Sequence, residues 1–439
     1  MKNINILLLA ALSLAVCSCG LYGKYTPQMT EEEELAIKVP SYKDIFQDEK
    51  LVALIDSALS RNLDLKMAHE RVRQADFKLT SAKLAYLPRL FAGANPVVSI
   101  GLPGQVDMSK LSYSFGMASW EIDIFGRVTN RKRIAQSYRD QLSDYEQAAR
   151  VELVSAVASL YFTLQMLDAQ VAATDSATSN WKASVEAVRA MKEAGLEDEA
   201  AVSQFEGSYY ATSASGKTLR LVRDVAENSM RLLLCCDSCD VPRNPIYEVD
   251  RPLVNADAVK SIDLNAVRVR PDVKAAEKQL AQSFYNVNLA RANCCPDISI
   301  NGTVGWADGA VIFNLVGNLL QPIFNAGENI NMVKVSKSQL DESTMAYANA
   351  LLKAGNEVNN SVASIKTYYS QVEDYSKRVE AMERALEATQ LKMKFGRGTY
   401  LEVLTAQNNL LESQIEEIQN KADILIAVVD LYSALGGGR

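Results

Sequence analysis

Catalysis needs side chains that titrate, ligate or attack, held close together, and this chain offers few of them. Its one histidine, His69, falls on a stretch with helical spacing and has Glu277 as its counterpart in a second, related stretch. A base that is not repeated reads as a packed or surface residue. The carboxylates are spread along helix faces, and no GxSxG, HExxH or phosphate-binding loop occurs. The chain therefore reads as a non-enzyme with no metal and no cofactor beyond a covalent lipid. Cysteines stand at 17, 19, 235, 236, 239, 294 and 295. The run CCDSC from Cys235 has the sulfur to ligate a soft metal or close a local disulfide. No histidine or carboxylate completes a ligand set. Cys235, Cys236, Cys239, Cys294 and Cys295 are thus expected to replace small apolar residues at a helix end and an element boundary.

The first two cysteines close a different kind of segment. MKNINILLLAALSLAVCSCG opens on Lys2, runs apolar from Ile4 to Val16 and ends in small residues and cysteine, the build of an export signal. Around Cys19, Val16 stands at −3 and Ser18 at −1, which resembles a bacterial lipobox; Cys17 would have Val16 at −1. Cys19 is expected to be the lipid-bearing mature N-terminus, with residues 1–18 removed. No later run of about 18 apolar residues is present, so no transmembrane helix is expected, and a membrane span must be made of strands. Export also places the later cysteines in an oxidising compartment. A net charge of −7 without a Lys/Arg-rich run argues against a nucleic-acid partner.

The elements come in two copies. RNLDLKMAHERVRQADFKLTSAKLAYLPRL, from Arg61, aligns without gaps with VRPDVKAAEKQLAQSFYNVNLARANCCPDI, from Val269. Asp64 meets Asp272, Gln74 meets Gln282, and Pro88 meets Pro296. In both copies helical spacing ends at the proline, which donates no backbone hydrogen bond and restricts its predecessor. Strand periodicity follows. Leu111, Tyr113, Phe115 and Met117 alternate with Ser112, Ser114, Gly116 and Ala118; Ile298, Ile300, Val304 and Trp306 alternate with Ser299, Asn301, Thr303 and Gly305. A large apolar face backed by a small or polar one suits strands that meet lipid on one side and water on the other. Hairpins are expected at 89–120 and 297–323.

A long helix follows each hairpin. Arg127 to Ala194 contains no Gly or Pro, and the equal stretch between Gly327 and Gly396 is broken only by Gly355. At 1.5 Å per residue each reaches about 100 Å. Leu153, Val157, Leu160, Leu164, Leu167 and Val171 step by four and three, as do Val372, Tyr375, Val379, Met382, Leu386, Thr389 and Met393. That spacing holds one seam against a partner helix. Tight turns, EAGLEDE and FGRGTYLE, lead into return helices, the second over 399–435. The expected organisation is an anchored segment 19–47 and a first repeat 48–241 with a helical hairpin over 127–237. A Pro- and Asp-bearing linker 242–260 and a second repeat 261–439 with a helical hairpin over 328–435 follow. Four strands cannot close a barrel, since small barrels need about eight and an open edge in lipid strands backbone groups. Several copies must therefore share one barrel.

With these features the chain resembles the TolC-like outer-membrane efflux factors, in particular their lipoprotein branch. The marks are Cys19 followed by Tyr25-Thr26-Pro27; SWEIDIFGR at 119–127; RPDV at 270–273; Pro88 and Pro296; QPIFNAG at 321–327; GTYLEVLTAQ at 398–407; and LYSALGGG at 431–438. The resemblance implies a mainly α fold with membrane β. It would be a homotrimeric α-helical barrel continuing from a β-barrel of about twelve strands, four per protomer. A mixed equatorial domain would draw on the N-terminal segment, the linker and the C-terminus. The strand-to-helix transitions would lie at Pro88, Phe125 and Gly126, and at Pro296, Pro322, Phe324 and Gly327. The implied activity is a passive exit duct in the outer membrane. Its partners would be outer-membrane lipid, a periplasmic adaptor and an inner-membrane pump of the resistance-nodulation-division type, or else an ABC transporter exporting protein. Adaptor docking would fall on the helix tips, Ala194-Gly195-Leu196 and Arg397-Gly398-Thr399. Glu402, with Glu199 as its counterpart, would ring the periplasmic mouth, where crowded like charges attract cations and raise each other's pKa. Thr405 stands where the family often has a second acid. A lipid-anchored coiled-coil tether would explain the heptads and Cys19 but not the alternating segments.

Overall fold

The computed structural model describes residues 22–30, 32, 37, 39–101, 105–246, 266–307, 310–320 and 326–438. The expectations for Cys19, Pro322, Phe324 and residues 247–260 of the linker lie outside them. The elements run α1 (Tyr42–Ile45), α2 (Glu49–Arg61), α3 (Leu63–Leu84), β1 (Arg89–Gly101), β2 (Gln105–Glu121), α4 (Arg127–Glu193) and α5 (Glu199–Leu233). They continue with α6 (Ala266–Val269), α7 (Pro271–Ala292), β3 (Asp297–Ala307), β4 (Ala310–Leu320), α8 (Glu328–Lys394) and α9 (Tyr400–Ala434). The duplication shows in the lengths: α3 and α7 have 22 residues, α4 and α8 have 67, and α5 and α9 have 35. The return helix of the second copy is one residue shorter at each end than its sequence stretch, because Thr399 and Leu435 are its caps.

Among the described residues the chain divides into two compact units. One takes 22–30, 68–146 and 271–351 and holds the sheet; the other takes 32–67, 147–270 and 352–439, outside the residues left undescribed. The sheet is antiparallel in the order β1-β2-β3-β4. Its register sets Leu90, Met117, Gly302 and Leu315 in one cross-strand row, and Ala92, Phe115, Val304 and Phe313 in another on the same face. Phe91, Gly116, Thr303 and Asn314 form a row on the opposite face. A Cβ on Gly116 would lie 2.8 Å from the Phe91 ring, so the ring covers the glycine across the strand pair.

The second unit has a conventional core. Leu51, Ile55, Val157, Leu164, Ile424 and Val429 are buried, and the Phe46 ring sits between Phe162 and Tyr432. The first heptad seam is filled inside the chain, with Leu153, Val157, Leu164, Leu167 and Val171 buried; the second, from Val372 to Met393, stays half exposed. An 18-residue window of α4 reaches a mean hydropathy of 1.2, sufficient by composition for a bilayer, but 56% of it is buried inside the protein. Arg243 fastens the start of the linker. Its guanidinium pairs with Asp168 and with Glu227, the latter at 2.7 Å, and both carboxylates, Asp168 foremost, hold its pKa above the usual value. The Asn244 amide donates to Tyr161 Oη at 3.2 Å, and that hydroxyl donates to Asp48 at 2.6 Å. Burial, then the Asp48 bond, push the Tyr161 phenol up.

The end of each repeat is capped by its own beginning. Asn62 Nδ2 donates to Leu233 O at 3.1 Å, and Arg270 Nη1 donates to Ala434 O at 2.9 Å. Asn62 and Arg270 are aligned residues of the two copies, and each satisfies the last carbonyl of its copy's return helix, a group no helix bonds internally. Beyond those carbonyls the chain turns left-handed at Cys235 (φ 49°) and Gly436 (φ 82°). Cys235 therefore occupies the position where copy two has a helix-ending glycine. An L-residue there costs about 1–2 kcal/mol, so Cys235→Gly is expected to raise the thermal midpoint of the purified protein.

Two other cysteines depart from their expected role. Cys236 and Cys239 form a disulfide, and Cys235 is a free, exposed thiol. Two thiols three residues apart, just past a helix end, can meet without moving a packed element, and export supplies the oxidant. No group able to hold a metal ion occurs among the described residues. Cys295 does pack as a small apolar residue, against Phe125 and Ala292. Alkylation of the native protein before digestion is expected to label Cys235 and to leave Cys236 and Cys239 unlabelled until a reductant is added; equal labelling of all three would refute the pairing.

Candidate functional site

Three places in the chain have features that packing alone does not account for: one sheet face, the strand-to-helix junctions, and the helix tips. On the sheet face, Leu90, Phe115, Val311, Phe313 and Leu315 are exposed; Phe313 and Leu315 keep 78% and 76% of their surface. An apolar surface of this kind needs a partner phase. β1 and β4 each also leave one edge without a partner strand among the described residues.

The junction explains SWEIDIFGR residue by residue. β2 ends at Glu121, and Asp123 Oδ1 accepts the Val128 amide at 3.0 Å while Oδ2 accepts that of Thr129 at 2.8 Å, capping α4. Phe125 is buried against Ala292, and Gly126 takes φ 75° to turn the chain into the helix. Arg127, with 11% of its side chain exposed, reaches to the second copy. It donates to Cys295 O at 3.1 Å and Pro296 O at 2.6 Å and pairs at 3.6 Å with both Glu121 and Asp297. Trp120 Nε1 donates to Tyr86 O at 3.0 Å, two residues before Pro88. Pro88 and Pro296 each immediately precede a strand. Copy two repeats the turn, with Ala326 at φ 45° and Gly327 at φ 76°.

A strap from the N-terminus crosses the same junction. Tyr22 Oη donates to Asp123 O at 2.5 Å, and Arg133 Nη1 donates to the carbonyls of Tyr22 and Gly23 at 3.0 Å. The Tyr25 amide donates to Tyr285 Oη at 3.2 Å and the Gln28 amide to Glu277 Oε1 at 2.7 Å. Sequence reading missed Asp123, Arg127 and the strap. An acid a few residues before a Gly/Pro-free run is a helix-start signal that identifies Asp123; nothing in the pattern marks Arg127 or Tyr22. His69 lies 3.0 Å from Glu146 on the surface, while Glu277 is buried under the strap, so the two aligned positions do different work.

At the tips the positive-φ glycines are Gly195 (φ 74°) and Gly396 (φ 67°), so Gly396, not Gly398, matches Gly195. Gly398 has a separate role: an added Cβ would come within 2.9 Å of Lys392 Cβ and 3.2 Å of Met393 N. Gly398→Ala is thus expected to splay the second turn, read as faster proteolysis after Lys392 or Arg397, while cleavage at Lys192 stays unchanged. The acids do not pair as aligned either. Asp198 and Thr399 are the N-caps, which makes Glu199 equivalent to Tyr400 and Glu402 equivalent to Ala201. Glu199 pairs with Lys192, and Glu402 and Thr405 are exposed. Ala194, Leu196, Arg397 and Thr399 are also exposed. The hairpins pack through Trp181, Val185, Val188, Phe205 and Val403, and Gln407 Nε2 donates to Ser184 Oγ at 2.9 Å.

Known proteins are similar to this chain. The family model described as outer membrane efflux protein matches residues 54–235 and 265–437. The solvent efflux pump outer membrane protein SrpC of Pseudomonas putida is 27% identical over 427 residues, covering 93% of this chain and 89% of that protein. The cation efflux system protein CusC of Escherichia coli K12 is 25% identical over 457 residues, covering 97% of this chain and 98% of its own. In fold, the CmeC outer membrane channel of Campylobacter jejuni superposes with a TM-score of 0.82 at 23% identity, over 95% of this chain and 93% of that one.

Proposed function

The chain belongs to the outer membrane efflux protein family, and on that premise we propose that three copies form the passive exit duct of a tripartite pump. It is an outer-membrane channel, not an enzyme. The observation that carries the reading is the sheet: an apolar face open to the surroundings, two edges without a partner strand among the described residues, and a clamped junction leading into α4. Each edge can be satisfied by a further copy, which in lipid is the only alternative to stranded backbone groups. Three copies bring about twelve strands, a barrel wide enough to hold water.

The finer assignments are ours as well. An adaptor meets the tips, and the pump is of the resistance-nodulation-division type; the names of SrpC and CusC, for solvent and cation efflux, support a small-substrate pump. Glu402 faces the mouth with no ion pair to a described residue, whereas Glu199 is offset by Lys192. Cys19 carries the lipid, three residues ahead of the strap that fixes Tyr22 to the junction. A mature N-terminal peptide heavier than Cys19 alone by its acyl chains is expected; an unmodified one refutes the anchor.

The duct reading is tested in planar bilayers. Full-length protein is expected to give discrete, ohmic current steps without nucleotide. A preparation that inserts as a trimer yet carries no current, even with turns 194–199 and 395–400 replaced by Gly-Ser, contradicts it.

A further inference from the structure

The two tip turns have the same build and opposite charge. The first carries Glu193, Glu197 and Asp198 besides the Lys192–Glu199 pair; the second carries Lys392, Lys394 and Arg397, with Glu402 beyond them. All of these except Glu197 are exposed, and each turn holds out an apolar side chain, Leu196 at 75% exposure and Phe395 at 68%. The turns end hairpins that pack together in one compact unit, yet no ion pair is seen between them among the described residues.

Folding accounts for only part of this pattern. Lys392 and Lys394 in the last turn of α8, and Glu199 and Glu402 in the first turns of α5 and α9, complement the helix dipoles. Glu193 does the reverse: it is the last residue of α4, where a carboxylate faces the negative end of the helix. Arg397 stands exposed between Gly396 and Gly398, with no ion pair to a described residue of its own chain. Charges placed against or apart from local need suit an external partner.

We infer that the adaptor meeting the tip face is of split charge, laying acidic groups on Lys392, Lys394 and Arg397 and basic groups on Glu193 and Glu197. Leu196 and Phe395 give each contact an apolar seat. The inference rests on the exit-duct reading, in which the tips are the docking end, and adds which chemistry each tip accepts. With a screening length of about 8 Å at physiological salt, each turn is read by the groups placed directly against it. Such complementarity chiefly sets association rate and the choice between partners.

The test uses two labelled synthetic helical hairpins, identical except for three Glu or three Lys at the turn, titrated into the full-length trimer at low salt. The Glu hairpin is expected to lose at least roughly tenfold in affinity on K392E/K394E/R397E and to change by less than about twofold on E193K/E197K. The Lys hairpin should show the mirror pattern. Native mass is recorded for every variant; if the triple reversal does not assemble, Arg397→Ala replaces it and should weaken only the Glu hairpin. Trimers that bind neither hairpin, or whose two reversals act alike on both, overturn the inference and leave the duct standing. A wild-type protein that is not trimeric overturns the duct reading itself.

Discussion

A Leu315→Arg chain is expected to leave no trimer in the outer-membrane fraction, whereas Asn314→Arg, one residue away, still assembles. Leu315 is the middle residue of β4 and stands in the apolar row with Leu90, Met117 and Gly302, 76% exposed within one chain. Asn314 belongs to the opposite face, in the row of Phe91, Gly116 and Thr303. If the apolar face meets lipid, an arginine at mid-depth costs about 2–4 kcal/mol in each chain, and a trimer incurs that cost three times. A lumen-facing arginine stays in water and costs little. Fractionation followed by electrophoresis without heating separates the two results. Equal loss of both variants would mean that the face assignment is wrong.

Arg127→Ala is expected to be nearly as damaging, by a different route. The side chain is almost fully covered and satisfies the carbonyls of Cys295 and Pro296 while pairing with Glu121 and Asp297. Its removal strands two carbonyls and weakens two ion pairs where β2 becomes α4 and β3 begins. Charge-assisted bonds of this kind are worth about 1.5–3 kcal/mol each, so a loss of about 3 kcal/mol per chain is expected after relaxation. Arg127→Lys should recover little, because an ammonium cannot span both carbonyls and both carboxylates. The measurement is the temperature at which the detergent-solubilised trimer dissociates. A shift of a few degrees or less in Arg127→Ala would show that the junction is held by Asp123 and packing alone.

The elements were readable because their causes are local and periodic. A run free of Gly and Pro set α4, one broken only by Gly355 set α8, Pro88 and Pro296 set the strand starts, and period two set the sheet's faces. The gap-free alignment from Arg61 and Val269 also foretold the equal lengths of α3 and α7. What escaped is long-range. Arg127 bonds residues of the other copy, and Asn62 and Arg270 cap helices that end far along the chain, so no short window contains both partners. The tip glycine went astray because FGRGTYLE offers two candidates, and only backbone conformation distinguishes Gly396 from Gly398. Glu199 and Glu402 looked equivalent by distance from a glycine, but the N-caps Asp198 and Thr399 set a different register. CCDSC allowed a disulfide, a metal or packing on spacing alone, and geometry separates them: Cys236 and Cys239 meet, Cys235 ends a helix, Cys295 packs.

The central claim is that this chain completes its sheet only with further copies of itself. Its most direct test is native mass with single-particle imaging of the detergent-extracted full-length protein. The account predicts three chains around one axis, β4 of each paired with β1 of the next in a closed barrel of about twelve strands, and the long helices continuing from it. A monomer or dimer, or a trimer in which the β1 and β4 edges remain unpaired, would contradict it.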